Sequence, residues 1–131
     1  MANISAYAAK AMLDWVDGGA TPTQPSARYV NLSLGSPTSV SGSEITTGSG
    51  CSRQTAAFAA AASPAGSASN SAAMTFGPFS STCSVSGVNI WDTNIALTGN
   101  LLWYGLLANP RTLTIGDSVV LPIGGLVTTL G

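Results

Sequence analysis

The stretch Arg28-Tyr29-Val30-Asn31-Leu32-Ser33-Leu34 alternates strictly between the two sides of an extended chain. Val30, Leu32 and Leu34 face one way; Tyr29, Asn31 and Ser33 face the other. A period of two is that of a half-buried β-strand and is incompatible with a helix face. The pattern returns downstream in short pieces with Gly or Pro between them. Cys51 to Ala60 sets Arg53 and Thr55 against Ala56 and Phe58. Ala73 to Phe76 is a short strand that Gly77-Pro78 turns. Thr82 to Trp91 is longer, and Asp92-Thr93-Asn94 begins a turn. Leu101 to Leu107 is apolar on both faces, as in a central strand, and Asn109-Pro110 closes it. Thr112 to Ile115, Val119 to Leu121 and Leu126 to Leu130 follow. Roughly eight short strands separated by turn signals predict an all-β fold, a jelly-roll-like antiparallel β-sandwich.

One segment breaks the pattern. Ile4, Tyr7, Ala8, Ala11, Met12 and Trp15 recur at helical spacing, with Asn3 as N-cap and Gly18-Gly19 as the stop. An amphipathic helix within residues 1–19, packed on a sandwich of residues 20–131, gives a single domain over 1–131. A helix this short is marginal alone, so packing must hold it. Gly35 to Gly50 and the Ala/Ser-rich tract Ala59 to Ala73, which contains Pro64 and Gly66, read as loops.

Composition bounds the function. Nine of 131 residues carry a formal charge, 7% against about 25% in an average soluble domain, and there is no histidine. Lys10, Asp14, Asp17, Arg28, Glu44, Arg53, Asp92, Arg111 and Asp117 form no cluster in sequence. Catalysis needs titratable groups brought together, so no catalytic residue, cofactor or metal site is expected. Nucleic-acid binding needs grouped Lys and Arg, and the three arginines stand far apart. No apolar run is long enough for a membrane helix. The start Met-Ala-Asn-Ile has no basic, then apolar, secretory pattern, which points to synthesis in a cytoplasm. Cys51 and Cys83 have no imidazole partner and no CxxC spacing; free thiols are expected, with a disulfide as the alternative. Asp92 and Asn94 fit a side chain capping its own turn better than a calcium loop. A nearly neutral surface resists self-association poorly and suits a subunit packed against neighbours.

Blocks of the chain resemble a family of small tailed-phage virion proteins labelled tail-fibre-like or head cement proteins. They are the helix Ile4 to Trp15, the strand Arg28 to Leu34, Cys51-Ser52-Arg53-Gln54, Met74-Thr75-Phe76 and Val88-Asn89-Ile90-Trp91-Asp92. Thr98-Gly99-Asn100-Leu101-Leu102-Trp103-Tyr104-Gly105, Thr112 to Asp117 and Leu121-Pro122-Ile123-Gly124-Gly125-Leu126 complete the set. The resemblance implies a jelly-roll-like β-domain without catalysis, resident in the virion on a capsid shell or a tail appendage.

Two roles follow. The leading expectation is a capsid cement or decoration protein, a homo-oligomer (dimer or trimer) that binds the major capsid protein and reinforces the head. The alternative is a tail-fibre or receptor-binding appendage subunit. Phe76, Pro78 and Phe79 are candidate interface residues, with core placement of Phe76 equally open. The appendage reading calls for exposed aromatics; Trp15, Trp91, Trp103, Tyr104 and Tyr29 are candidates that lie in predicted elements and are expected in the core.

Overall fold

The computed structural model describes residues 3–45, 50–62 and 66–130. The expected strand at Arg28 forms as β2 (Arg28–Ser33), following a short β1 (Asn3–Ile4) and the helix α1 (Ala6–Val16). Beyond it run β3 (Gln54–Ala56), β4 (Ser67–Ser69), β5 (Met74–Phe76), β6 (Cys83–Trp91), β7 (Leu101–Leu113), β8 (Val119–Leu121) and β9 (Val127–Thr129). Every pairing is antiparallel. One five-stranded sheet has the order β1-β7-β6-β2-β3, and β4-β9 and β5-β8 are two-stranded ribbons. The all-β antiparallel class is as read from the sequence, and the layout is that of a sandwich. A regular jelly roll divides eight strands between two sheets; here one five-stranded sheet and two ribbons form.

The core lies on one face of the large sheet. Cross-strand pairs Val30↔Ile90 and Leu32↔Val88 put four apolar side chains side by side, and directly opposed residues share a face. Met74 and Phe76 of β5, Phe79, Val85, Leu102, Leu113 and Leu126 close over them. Burial of this cluster supplies the main favourable free energy of folding.

Several boundaries differ from the sequence reading, each for a physical reason. The β7 strand runs through Asn109-Pro110 to Leu113 instead of stopping there. It does so because a register shift between Val85 and Gly87 lets extra residues of β7 bulge out of the ladder, leaving Pro110 exposed; proline is tolerated at bulges and edges. The central position belongs to β6, since β1 covers only Trp103 and Tyr104 of β7. Leu106 is therefore exposed while Leu101 and Leu102 are buried. The Ala59–Ala73 tract holds β4, which pairs with β9. Pro64 and residues 46–49 of the Gly35–Gly50 loop lie outside the described residues, as do Met1 and Ala2 of the N-terminal reading. The N-cap of α1 is Ser5, not Asn3: its Oγ accepts from Ala8 N at 3.1 Å and donates to Leu101 O at 2.5 Å. Asn3 is taken up in the ladder with Tyr104.

Candidate interaction surface

Alternation puts Asn31 and Ser33 of β2 on the face of the large sheet opposite the core, where Asn89 of β6 pairs with Asn31. The sequence leaves that face half-solvated. In the fold it is covered, and all three polar residues are buried. The cover is the loop after β2. Its Gly42 carbonyl accepts from Ser33 Oγ at 2.6 Å and from Asn89 Nδ2 at 2.9 Å. A Cβ on Gly42 would stand 2.8 Å from the Trp91 ring, so only glycine lets the loop approach this closely.

The same loop carries Glu44 into a buried ion pair with Arg53. Nε and Nη2 of Arg53 donate to Oε1 and Oε2 of Glu44 at 2.6 and 2.8 Å, and the two side chains are 0% and 2% exposed. Glu44 also accepts from Asn31 Nδ2 at 2.6 Å and from Leu97 N at 3.1 Å. The guanidinium stacks over Trp91, 4.2 Å from the ring centroid, and donates through Nη1 to the carbonyls of Thr93 and Thr98. Burial pushes the Glu44 carboxyl upward. The hydrogen bonds from Arg53, Asn31 and Leu97 N, with the Arg53 charge, outweigh it and hold the group below its ordinary 4.5. Only a charged, fully bonded pair is tolerable at such a site.

This pair fixes the connection from β6 to β7. Thr93 O and Thr98 O are held from below by Arg53, and Leu97 N by Glu44. Asp92 clamps the base, its two carboxylate oxygens accepting from the Asn100 backbone and side-chain amides at 2.8 Å each. The capping role expected of Asp92 is what forms, and Asn94 is exposed. Gly99 (φ +80) allows a contact that a Cβ would close to 1.9 Å from Thr93. Leu97 takes a left-handed φ of 61°, a conformation that costs a branched residue energy and persists only where surroundings impose it. The loop tip thus presents Ile95 and Leu97 to solvent on a rigid base.

Tyr7 of α1 borders the base of this loop, at Asp92, Gly99 and Asn100. The stripe of α1 is half-buried at Ala8, Ala11 and Met12, and none of its residues is fully buried. Tyr7 and Trp15 are 50% and 60% exposed. A groove of about 860 Å³ opens between the stripe and residues 22–26, with Leu102 and Asp92 among its lining. Tyr7 also borders a smaller hollow with Val40, Trp91 and Asn100, joining helix and loops into one surface.

The interface expectation for Phe79 needs correcting, and of the two placements open for Phe76 the core is the one that forms. Both rings are in the core, 0% and 1% exposed, because the turn folds them inward. Phe79 N donates to Asp117 O and Gly116 N to Phe79 O, both at 2.8 Å. Asp117 in turn caps Thr114. Of the three residues only Pro78 is exposed. Trp103, Tyr104 and Tyr29 are half-buried, whereas Trp15 is on the surface. Sequence reasoning missed the Glu44–Arg53 pair. The available signal was a lone carboxylate in an otherwise uncharged loop.

Among the described residues no group of three His, Cys, Asp or Glu side chains could hold a metal ion. None of their helices is long and apolar enough to cross a membrane. Both cysteines are free thiols, Cys51 buried and Cys83 half-buried.

A family model described as "Podophage GP4 fiber I protein gp80" matches residues 3–129. The chain belongs to this Gp80 fibre family. It is accordingly a structural protein of a tailed-phage virion. The matched span includes every element from β1 to β9, so the helix, its groove and the locked loop all belong to the Gp80 unit. Two of the turns marked in the sequence, Gly116-Asp117 and Pro122-Ile123-Gly124, are bolted to the same body. The first is tied to Phe79, and Asn70 Nδ2 and backbone O bind Pro122 O and Gly124 N in the second. No curated protein matches the chain.

Proposed function

We propose that this protein is a fibre subunit of the virion, acting by binding alone. The family match over residues 3–129, described in terms of a podophage fibre, carries the reading and favours it over a capsid cement role. The exposed aromatics Tyr7 and Trp15 support it, because an appendage that contacts other surfaces needs large amphipathic side chains outside the core. So does the rigid mounting of Ile95 and Leu97, since a loop fixed in advance loses little entropy on contact. Asp92 and Asp117 hold turns, and their Asn variants should alter stability and nothing catalytic.

Quantitative mass spectrometry of purified virions tests the assignment, with adsorption and heat-resistance assays on particles lacking the protein. A fibre subunit is present in far fewer copies than the major capsid protein, and its loss abolishes adsorption while heads keep their heat resistance. Copies matching the major capsid protein, with heat-sensitive heads and normal adsorption, would return the protein to the shell.

A further inference from the structure

We propose that α1 is a homodimer contact: the groove beside it seats α1 of a second copy, antiparallel, about a two-fold axis near Met12. The inference is independent of whether the subunit sits on a fibre or a shell.

Four observations carry it. First, the helix is underpacked. None of its eleven residues is fully buried, and Ala8, Ala11 and Met12 are only half-buried; isolated helices below about 12–15 residues are marginal in water. Hydrogen bonds tie it to the body at its start, from Ser5 Oγ to Leu101 O at 2.5 Å and from Ala6 N to Ser39 O at 2.9 Å. Second, what it exposes is apolar: Leu13 and Val16 are 62% and 69% exposed in addition to Tyr7 and Trp15. Third, two of these four, Tyr7 and Trp15, border the groove. Tyr7, Ala11, Pro22 and Thr23 line both it and an adjoining hollow of about 230 Å³ that also takes in Lys10 and Asp14. The apolar stripe therefore has a charged rim.

Fourth, that rim is self-complementary in one orientation. Three of the chain's nine charges, Lys10, Asp14 and Asp17, fall on this helix or its C-cap. Two carboxylates lie at the negative end of the helix dipole, an unfavourable place that nothing in the first or last turn offsets. A parallel neighbour would bring a second acidic end beside the first. An antiparallel one brings its positive N-terminal end, and sets Lys10 of each copy level with Asp14 of the other. The two intrachain Lys10–Asp14 pairs, one in each copy, are then exchanged for two pairs across the axis. Isologous contacts of this kind are the commonest in homo-oligomers.

Area sets the strength. A helix of this length spans about 16 Å, so even with the rim of residues 20–26 the contact falls below the roughly 800 Å² per partner of a stable complex. The free chain should dimerise weakly, in the micromolar range or above. Neighbouring copies held in a virion would make the contact at high effective concentration.

Sedimentation equilibrium of the full chain across micromolar to near-millimolar concentration is the test, with Lys10→Glu and Asp14→Lys. Lys10 is 77% exposed at its side chain and Asp14 38%, so both variants should melt like the wild type. Wild type should be in monomer–dimer exchange, and each variant, with like charges facing across the axis, should dimerise about tenfold or more weakly. Mixed one to one, the variants should recover the wild-type association, because an all-basic rim then meets an all-acidic one. Variants that dimerise as well as the wild type, or a mixture that recovers nothing, would overturn the proposal. So would a wild type that is trimeric, or one that stays monomeric throughout; the latter leaves the groove to another virion protein or a glycan.

Discussion

Replacing Arg53 by Met asks how much of this fold hangs on one buried charge. The substitution keeps an unbranched apolar stem and deletes the guanidinium. Lost with it are two hydrogen bonds to Glu44 at 2.6 and 2.8 Å, those to Thr93 O and Thr98 O at 2.7 and 3.1 Å, and the stacking on Trp91. These terms overlap and do not add. The governing one is the Glu44 carboxylate, 2% exposed, left with only Asn31 and Leu97 N as donors. Breaking a buried pair in this way costs about 3–5 kcal/mol. For a chain of 131 residues that lowers Tm by about 10–20 °C. Urea denaturation, with thermal melts, measures it. Amide exchange in residues 93–99 should rise as well, because both carbonyl anchors of that loop are gone. The double variant Arg53→Met/Glu44→Leu supplies the control. Asn31 Nδ2 keeps its bond to Ile45 O at 3.0 Å, Leu97 N lies in an exposed loop open to water, and no charge stays buried. The double variant should be more stable than Arg53→Met alone. A single variant within about 1 kcal/mol of wild type, or a double variant worse than the single, would refute the reasoning.

Three other outcomes follow from the same geometry. Because the folded Glu44 pKa lies below its ordinary 4.5, the unfolded chain binds the proton more readily. The contribution of Glu44 is therefore complete above about pH 4.5 and is lost as pH falls through the folded value. A series of denaturation midpoints from pH 7 to pH 2 should show this acid limb, flattened by about one proton in Glu44→Gln. Burial, with a smaller push from Cys83, raises the Cys51 thiol to about 11. A maleimide pulse at pH 8 read by mass spectrometry should label Cys83 first and Cys51 only once the chain unfolds. Leu102→Ala should cost about 2–5 kcal/mol and Leu106→Ala at most about 0.5 kcal/mol, since the first is buried and the second exposed; equal effects in melts would contradict the register of β7.

The sequence disclosed what local periodicity controls. Strict alternation at Arg28–Leu34, the turn at Gly77-Pro78 and the apolar run at Leu101 each sit in a strand or a turn of the structure. Helix α1 was legible from its 3.6-residue stripe, and its end at Gly18 is marked by a φ of 79°. Long-range facts were hidden. Nothing near Asn31 reveals that a loop thirteen residues on will cover it, so a strand buried on both faces read as half-exposed. Nothing near Pro110 reveals that β6 continues opposite it. The candidate surface was legible only in part. An amphipathic stripe states that one face of α1 wants apolar company, but not whether this chain or another provides it. On that ambiguity the sequence reading places Trp15 in the core, and without the Asp117 contact that turns Phe79 inward it offers Phe79 to an interface and leaves Phe76 open between interface and core.

The charge economy of the chain is better understood from placement than from its total. Of nine charged residues, Glu44 and Arg53 are buried against one another, Asp92 closes its turn through both carboxylate oxygens, and Asp117 closes its turn through Oδ2, which accepts twice from Thr114. Four of nine charges thus fix loop geometry. The others are the Lys10, Asp14 and Asp17 group on α1, with Arg28 and Arg111 on the sheet. The solvent-facing surface is as poor in charge as the composition, and it exposes large apolar side chains at Val40, Ile95, Leu97 and Ile123 besides those on α1. A freely diffusing protein gains nothing from this combination, which lowers its colloidal stability. A subunit repeated side by side does gain: few like charges accumulate between copies, and apolar side chains held on rigid loops meet their neighbours without an ordering cost. Internal ion pairs and capped turns supply that rigidity where surface charge would obstruct packing. In this chain, the buried ion pair and the capped turns serve the scaffold.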